Sequence, residues 1–425
     1  MKKICMLLVA VLALFGLAAC GGDSDGTPVV QKTKINIWAT AAEEKVIKTV
    51  IDDYNAKNNV NYTYEFTAIS EADAGTTLAN DPTVNGAPAL FLCADDHIST
   101  LQSKNIVAEI KNARKDKIIA DNSAVSVQGA TLNGKVYGYP VTSDNGYFLW
   151  YNKTLLPESK LGKLEDILAH ANSTGKSFLM DVANGWYANS FIMSPQACGT
   201  ESLFWGANAE GKNVYTTTWD NADGVKVSQY IASLLTPAYA NETLVVGSNP
   251  EVAAGFENGK LVAAISGTWM EKELAAAIGE ENLGATKLPT YTVDGKEYQM
   301  ASFTGSKVYC INKTRPVEEQ VTAAELAELL TGKEAQLKRF EIRSSIPCNN
   351  EALKDARYTE HVTIGAKALG LQNAYACVQS KTAEGRYWNV GQAIGQAYLD
   401  SNLGEHADWA AFLKSQMDIL RNPAV

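Results

Sequence analysis

The sequence predicts an α/β chain arranged as two successive sheet-and-helix regions. Three observations carry this reading. Short strand patterns alternate with helical ones from residue 34 onward. Two apolar runs, 88–93 and 260–265, are continuous, as in strands buried on both faces of a parallel sheet. From Pro316 the pattern turns helical almost to the end.

Each element has its own signal. Residues 34–38 alternate and read as a strand, and 43–57 carry apolar residues at Val46, Ile47, Val50, Ile51 and Tyr54, the spacing of a helix packed on one face. Residues 61–66 form a second strand and 88–93 a buried third. In the later region 177–181 and 260–265 read as strands, 225–235 and 249–258 as helices, and 307–311 as a further strand. Helices are expected at 321–330, 333–340, 361–369, 388–399 and 409–421. Between the regions lies YGYPVTSDNGYFLWYNKTLL, residues 137–156, two apolar runs flanking Thr142-Ser143-Asp144-Asn145-Gly146. Asp, Asn and Gly favour turns, so a hairpin is one reading and a passage between two domains the other. With no low-complexity linker, the two regions are expected to join by short crossings.

The N-terminus bears on compartment. Lys2 and Lys3 precede an apolar run, 4–17, too short to span a bilayer comfortably, which ends in Leu17-Ala18-Ala19-Cys20. This resembles a bacterial lipobox, so 1–19 is read as a lipoprotein signal peptide, Cys20 as the lipidated residue and 20–32 as a flexible tether. A plain cleaved signal peptide with an incidental Cys is the alternative. A net charge of −10 argues against nucleic acid as a partner. Beyond Cys5 and Cys20 there are five cysteines, so at least one is unpaired; a Cys348–Cys377 disulfide stays open, and no spacing suggests a metal.

Ligands of open α/β sheets bind beyond the carboxyl ends of the strands. Two such ends carry polar residues, 38–43 with Thr40 and Glu43, and 94–97 with Asp95, Asp96 and His97. Adjacent Asp95 and Asp96 point to opposite faces of an extended segment and make no ready acid/base pair. There is no GxSxG elbow, no phosphate loop, and no partner at a recognisable spacing for any of the four histidines. The aromatic residues are more informative. Trp186, Trp269 and Trp388 sit where loops follow strands or open helices, two of them beside Tyr187 and Tyr387. Sugar rings offer a C–H face to aromatics and a hydroxyl edge to Asp, Asn and His. A cleft with these Trp on one side and Asp95, Asp96, Asp144 and Asn145 on the other would suit a neutral oligosaccharide. Trp38, Trp150, Trp205, Trp219 and Trp409 read better as packing residues.

Taken in order, residues 34–38, 87–110 (APALFLCADDHISTLQSKNIVAEI), 134–156, 256–289 with NGKLVAAISGTW inside, and Gly391-Gln392-Ala393 after Tyr387-Trp388 resemble the extracellular solute-binding proteins of bacterial ABC importers, in their maltose/maltodextrin branch. The resemblance spans most of the mature chain. It implies a two-lobed periplasmic-binding-protein-like fold of type II, with 33–142 plus 306–350 as one lobe and 146–301 plus 355–425 as the other. Hinge crossings would lie near 142–146, 302–306 and 350–355. It implies a binding protein, not an enzyme, that takes an oligosaccharide, hands it to permease subunits, works as a monomer and needs no cofactor. Thr40, Glu43, Asp95, Asp96, His97, Asp144, Asn145, Asn184, Trp186, Tyr187, Trp269, Phe303 and Trp388 are the expected ligand contacts. Two departures stand out: His97 occupies a position where the family often has Arg, and Cys93 one where a maltodextrin binder carries a stacking Trp. Gln392 stands near the position of a second-lobe Arg. Another oligosaccharide, a polyol or a glycerophosphodiester would fit the same class. A secreted carbohydrate-active enzyme or an adhesin would fall outside it.

Overall fold

The computed structural model describes residues 29–207, 213–379 and 385–422. The export signal, Cys20 and most of the tether lie outside the described residues. The chain runs β1 (Ile35–Ala39), α1 (Glu44–Asn58), β2 (Tyr64–Ala68), α2 (Glu71–Asn80), β3 (Leu90–Ala94), α3 (His97–Ser103) and β4 (Tyr139–Thr142). It continues through β5 (Phe148–Asn152), α4 (Leu164–Ser173), β6 (Ser177–Leu179), α5 (Ala222–Ala240), β7 (Leu244–Val245), α6 (Asn249–Glu257), β8 (Leu261–Ser266), α7 (Glu271–Ile278) and β9 (Leu283–Thr286). Then come β10 (Ser302–Thr304), β11 (Lys307–Ile311), α8 (Val317–Thr331), α9 (Lys333–Arg343), α10 (Ile364–Gln372), β12 (Ala376–Val378), α11 (Gly385–Asp400) and α12 (Trp409–Arg421).

Ten of these strands form two five-stranded sheets of one pattern, β2-β1-β3-β11-β4 and β7-β6-β8-β5-β9. In each, the first three strands run parallel, and the fourth, β11 or β5, is antiparallel to both its neighbours. These fourth strands are the ones that arrive from the other lobe. The 142–146 ambiguity is thereby explained: β4 and β5 adjoin in sequence but belong to different sheets, so residues 143–147 join two lobes and make no hairpin turn. A second link, residues 305–306, joins β10 to β11, and β10 pairs in parallel with β12.

Side-chain alternation builds the cores. In β5, Leu149 and Tyr151 enter one hydrophobic cluster of the second lobe, while Phe148 and Trp150 enter the cluster on the opposite face. All are buried, which is why this strand lacks polar alternation. The first lobe has its own core around Ile37, Phe91, Leu92 and Tyr309, onto which α1 presents Ile47 and Ile51. Helix α9 serves both lobes: Leu337 and Phe340 pack with Phe148 and Trp150, while Arg339 reaches Glu43 in the first lobe. Cys93, Cys198, Cys310, Cys348 and Cys377 are all free thiols, so the possible Cys348–Cys377 bridge is not formed. Cys348 instead donates to Asn122.

Candidate ligand-binding cleft

A cavity of about 590 Å³ opens between the lobes. Its first-lobe wall comes from the end of β3 and from α2 and α3. Asp96 and His97 stand at the start of α3, and Thr100 and Lys104 follow at helical spacing, so one face of the helix lines the cavity. The His97 ring lies directly against Gly75, where a Cβ would come within 2.3 Å of it; only glycine lets α2 approach that closely. Lys104 Nζ donates to the Ala79 carbonyl at 2.7 Å, tying α3 to α2. Asp96 Oδ1 is buried in this wall without a hydrogen-bond partner in the protein. A buried carboxylate oxygen left unpaired carries a desolvation penalty that an incoming donor would relieve.

The second-lobe wall is aromatic. Trp186 sits on the short helix Gly185–Ala188, capped by Asn184, whose side chain accepts from Trp186 N at 2.9 Å. Trp388 sits in α11, and the two ring centroids are 6.3 Å apart. Their proximity depends on small residues: a Cβ at Gly391 would come within 2.8 Å of Gly185 Cα, so the helices touch backbone to backbone. Trp269 completes the wall from the turn after β8, 41 % exposed. Beneath them Phe303 is fully buried, 5.2 Å from Trp186 and 6.1 Å from Trp388 between ring centroids. Between the walls, Asn145 Nδ2 donates to Gln379 Oε1 at 2.9 Å.

Of the residues expected to meet ligand, Asp96, His97, Asn145, Trp186, Trp269 and Trp388 line this cavity together. Asn184 and Tyr187 line an adjoining pocket of about 230 Å³ that shares Trp186 and Trp269 with it. The others do not reach it. Thr40 follows β1 directly, its carbonyl accepting from Glu43 N. Glu43 is fully buried, where Arg339 Nε and Nη2 donate to it at 2.9 and 3.0 Å and Arg343 Nη1 also donates. Burial alone would raise its carboxyl, but the two guanidiniums outweigh that and hold it below the ordinary value. Glu43 is an ion-pair residue of the lobe interior. Asp95 is 1 % exposed and accepts from Ser306 N at 3.0 Å; Asp144 is 6 % exposed in the crossing; Phe303 supports the tryptophans from below. Cys93 is buried in the first-lobe core and offers the cavity nothing. Thr76 and Asn80 of α2, Thr100, Lys104 and Gln379 line the cavity without having been anticipated. Small polar residues on an amphipathic helix carry no signature of a ligand wall.

An open cleft walled by aromatics on one lobe and polar groups on the other, between two sheets of matching order, defines a two-lobed binding protein. Residues 49–366 match the family described as bacterial extracellular solute-binding protein, and the chain belongs to that family, which acts outside the cytoplasm. No curated protein matches by sequence. Among solved structures, the fold is similar to a chain solved with acarbose (24 % identity, TM-score 0.76, covering 92 % of this chain and 99 % of that one). It is similar also to the maltodextrin-binding protein MalE1 from L. casei BL23 without ligand (19 %, 0.76, 92 % and 99 %). A third is the maltose-binding periplasmic protein MalE from Listeria monocytogenes in complex with maltose (19 %, 0.70, 92 % and 99 %). Among the described residues, no helix is long and apolar enough to cross a membrane, and no group of three or more His, Cys, Asp or Glu could hold a metal.

Proposed function

We propose that this chain captures a maltose- or maltodextrin-type oligosaccharide by closure of its lobes and presents it to the permease of an ABC importer. One observation carries the reading: three tryptophans face a wall holding the unpartnered Asp96 Oδ1 across a cavity of about 590 Å³. Aromatic faces take the C–H faces of pyranoses, and carboxylate, amide and imidazole take the hydroxyls. Solved chains of similar fold carry maltose and acarbose, which supports the same ligand class. The contacts we assign are Asp96, His97, Asn145, Trp186, Trp269 and Trp388, with Asn184 and Tyr187 in the adjoining pocket. The lobes are 33–142 with 306–350 and 146–301 with 355–425, hinged near 142–146, 302–306 and 350–355. Ligand touching both lobes favours the closed state by its differential affinity, so the protein binds and releases without chemistry. Acyl chains on Cys20 anchor it, as a monomer, to the outer face of the cell membrane.

Titration of the chain lacking residues 1–20 with maltose, maltotriose, longer maltodextrins and non-glucan oligosaccharides, followed by tryptophan fluorescence, tests this. Saturable change with the maltodextrins is expected. Asp96→Ala should weaken it about 10- to 100-fold, the range of a hydrogen bond to a charged group, and Trp269→Ala should weaken it as well. A response only to another sugar would replace the ligand, and silence with every sugar would overturn the reading.

A further inference from the structure

We infer that Asn249 is the positioning residue of the Trp269 stacking face, an inference that rests on the sugar-binding reading above. Asn249 opens α6 and does not line the main cavity; it lines the adjoining pocket together with Trp269. Its Oδ1 accepts from Trp269 Nε1 at 3.1 Å and from Ser266 Oγ at 3.4 Å. A cleft-facing ring that is 41 % exposed is not held in one rotamer by packing alone. Two features fix this one. Its indole N–H is tethered to Asn249, and its six-membered ring lies over Gly267, where a Cβ would come within 2.1 Å of the ring. Asn249 is in turn fixed by the helix start: Ser248 N and Oγ both donate to Glu251 Oε2, at 2.8 and 2.7 Å, closing the first turn of α6.

The arrangement presets the plane against which a sugar ring stacks, so the ligand need not order the side chain on binding. Without the Asn249 oxygen, the ring would exchange between rotamers in the free protein, and each binding event would bear the cost of selecting one. Asn249 is absent from the lining of the main cavity, so its effect on a ring stacked there runs through Trp269.

The test uses the chain lacking residues 1–20, labelled with 5-fluorotryptophan, with the Trp269 resonance assigned by its loss in Trp269→Phe. Asn249 lies exposed on the first turn of its helix, so its substitution leaves the cores untouched. In Asn249→Leu the Trp269 line should shift or broaden while the other tryptophan lines stay in place. Maltotriose affinity measured by calorimetry should fall about 3- to 10-fold, the worth of one ordinary hydrogen bond. Asn249→Asp keeps an acceptor oxygen and should restore both the line and the affinity. An unmoved Trp269 line in Asn249→Leu, or equal affinity loss in Asn249→Asp, would overturn the inference. Should maltotriose fail to bind the unsubstituted chain, the sugar reading fails, and the fluorine spectrum alone still decides whether Asn249 fixes the ring.

Discussion

Asp95 lies one residue from the cleft wall, yet water barely reaches it. Burial pushes its carboxyl up to about 8, Ser306 N–H pulls it back in part, and the neighbouring Asp96 charge pushes it further up. The folded chain therefore holds a proton at Asp95 that the unfolded chain releases near the ordinary carboxylate value of about 4. The sign follows from linkage: a raised acid contributes its stability fully below the unfolded value and loses it as pH climbs toward the folded one. Asp95→Asn should keep an acceptor for Ser306 N–H and remove that loss. Melting curves between pH 5 and pH 8.5 should then show the variant gaining on the parent as pH rises; a constant gap would count against it. Residue identity alone could not separate Asp95 from Asp96. Both are carboxylates at a strand end, and only the turn into α3 sends one inward and the other to the cavity.

Glu43 makes the same point for elements. A carboxylate just past the end of β1 has the sequence position of a ligand contact. Its partners Arg339 and Arg343 lie 296 and 300 residues away, beyond the reach of any local pattern. The ion pair joins the start of α1 to α9. Glu43→Gln should cost about 3–5 kcal/mol, because it leaves Arg339 buried with too little compensation. Denaturant titration should show that loss while sugar affinity in the surviving folded fraction stays unchanged; affinity loss without destabilisation would restore Glu43 as a ligand contact. Most elements were legible because periodicity reports burial. The apolar spacing in 43–57 became α1, and the continuous runs became β3 and β8. The aromatic wall was legible too, since Trp186, Trp269 and Trp388 follow strand ends or open helices. The α2 wall was not, because Thr76 and Asn80 look like any solvated helical face.

At the scale of the whole molecule, the two lobes also touch away from the crossings. Trp205 belongs to the second-lobe hairpin formed by strands Leu203–Ala207 and Asn213–Thr217, and its Nε1 donates to Ser99 Oγ of α3 at 3.1 Å. Arg386, on α11, stacks its guanidinium 4.9 Å from the same indole. Trp205 had read as a packing residue only. A bond present when the lobes are together and absent when they part biases their equilibrium toward closure. Trp205→Phe should keep the packing and remove the donor. Small-angle scattering of the ligand-free chain should then show a larger radius of gyration, and maltotriose should dissociate faster; identical scattering and dissociation would show that the bond carries no weight in closure.

The place of β11 also constrains the order of assembly. It lies between β3 and β4 in the first sheet, yet it is made only after the whole second-lobe sheet. Until residue 311 is available, β3 has an unpaired edge and β4 has no neighbour, so a growing chain holds three paired strands and a fourth, β4, whose link to them is still to come. The first lobe thus cannot complete its sheet until nearly three quarters of the chain has emerged, after every strand of the second lobe's sheet.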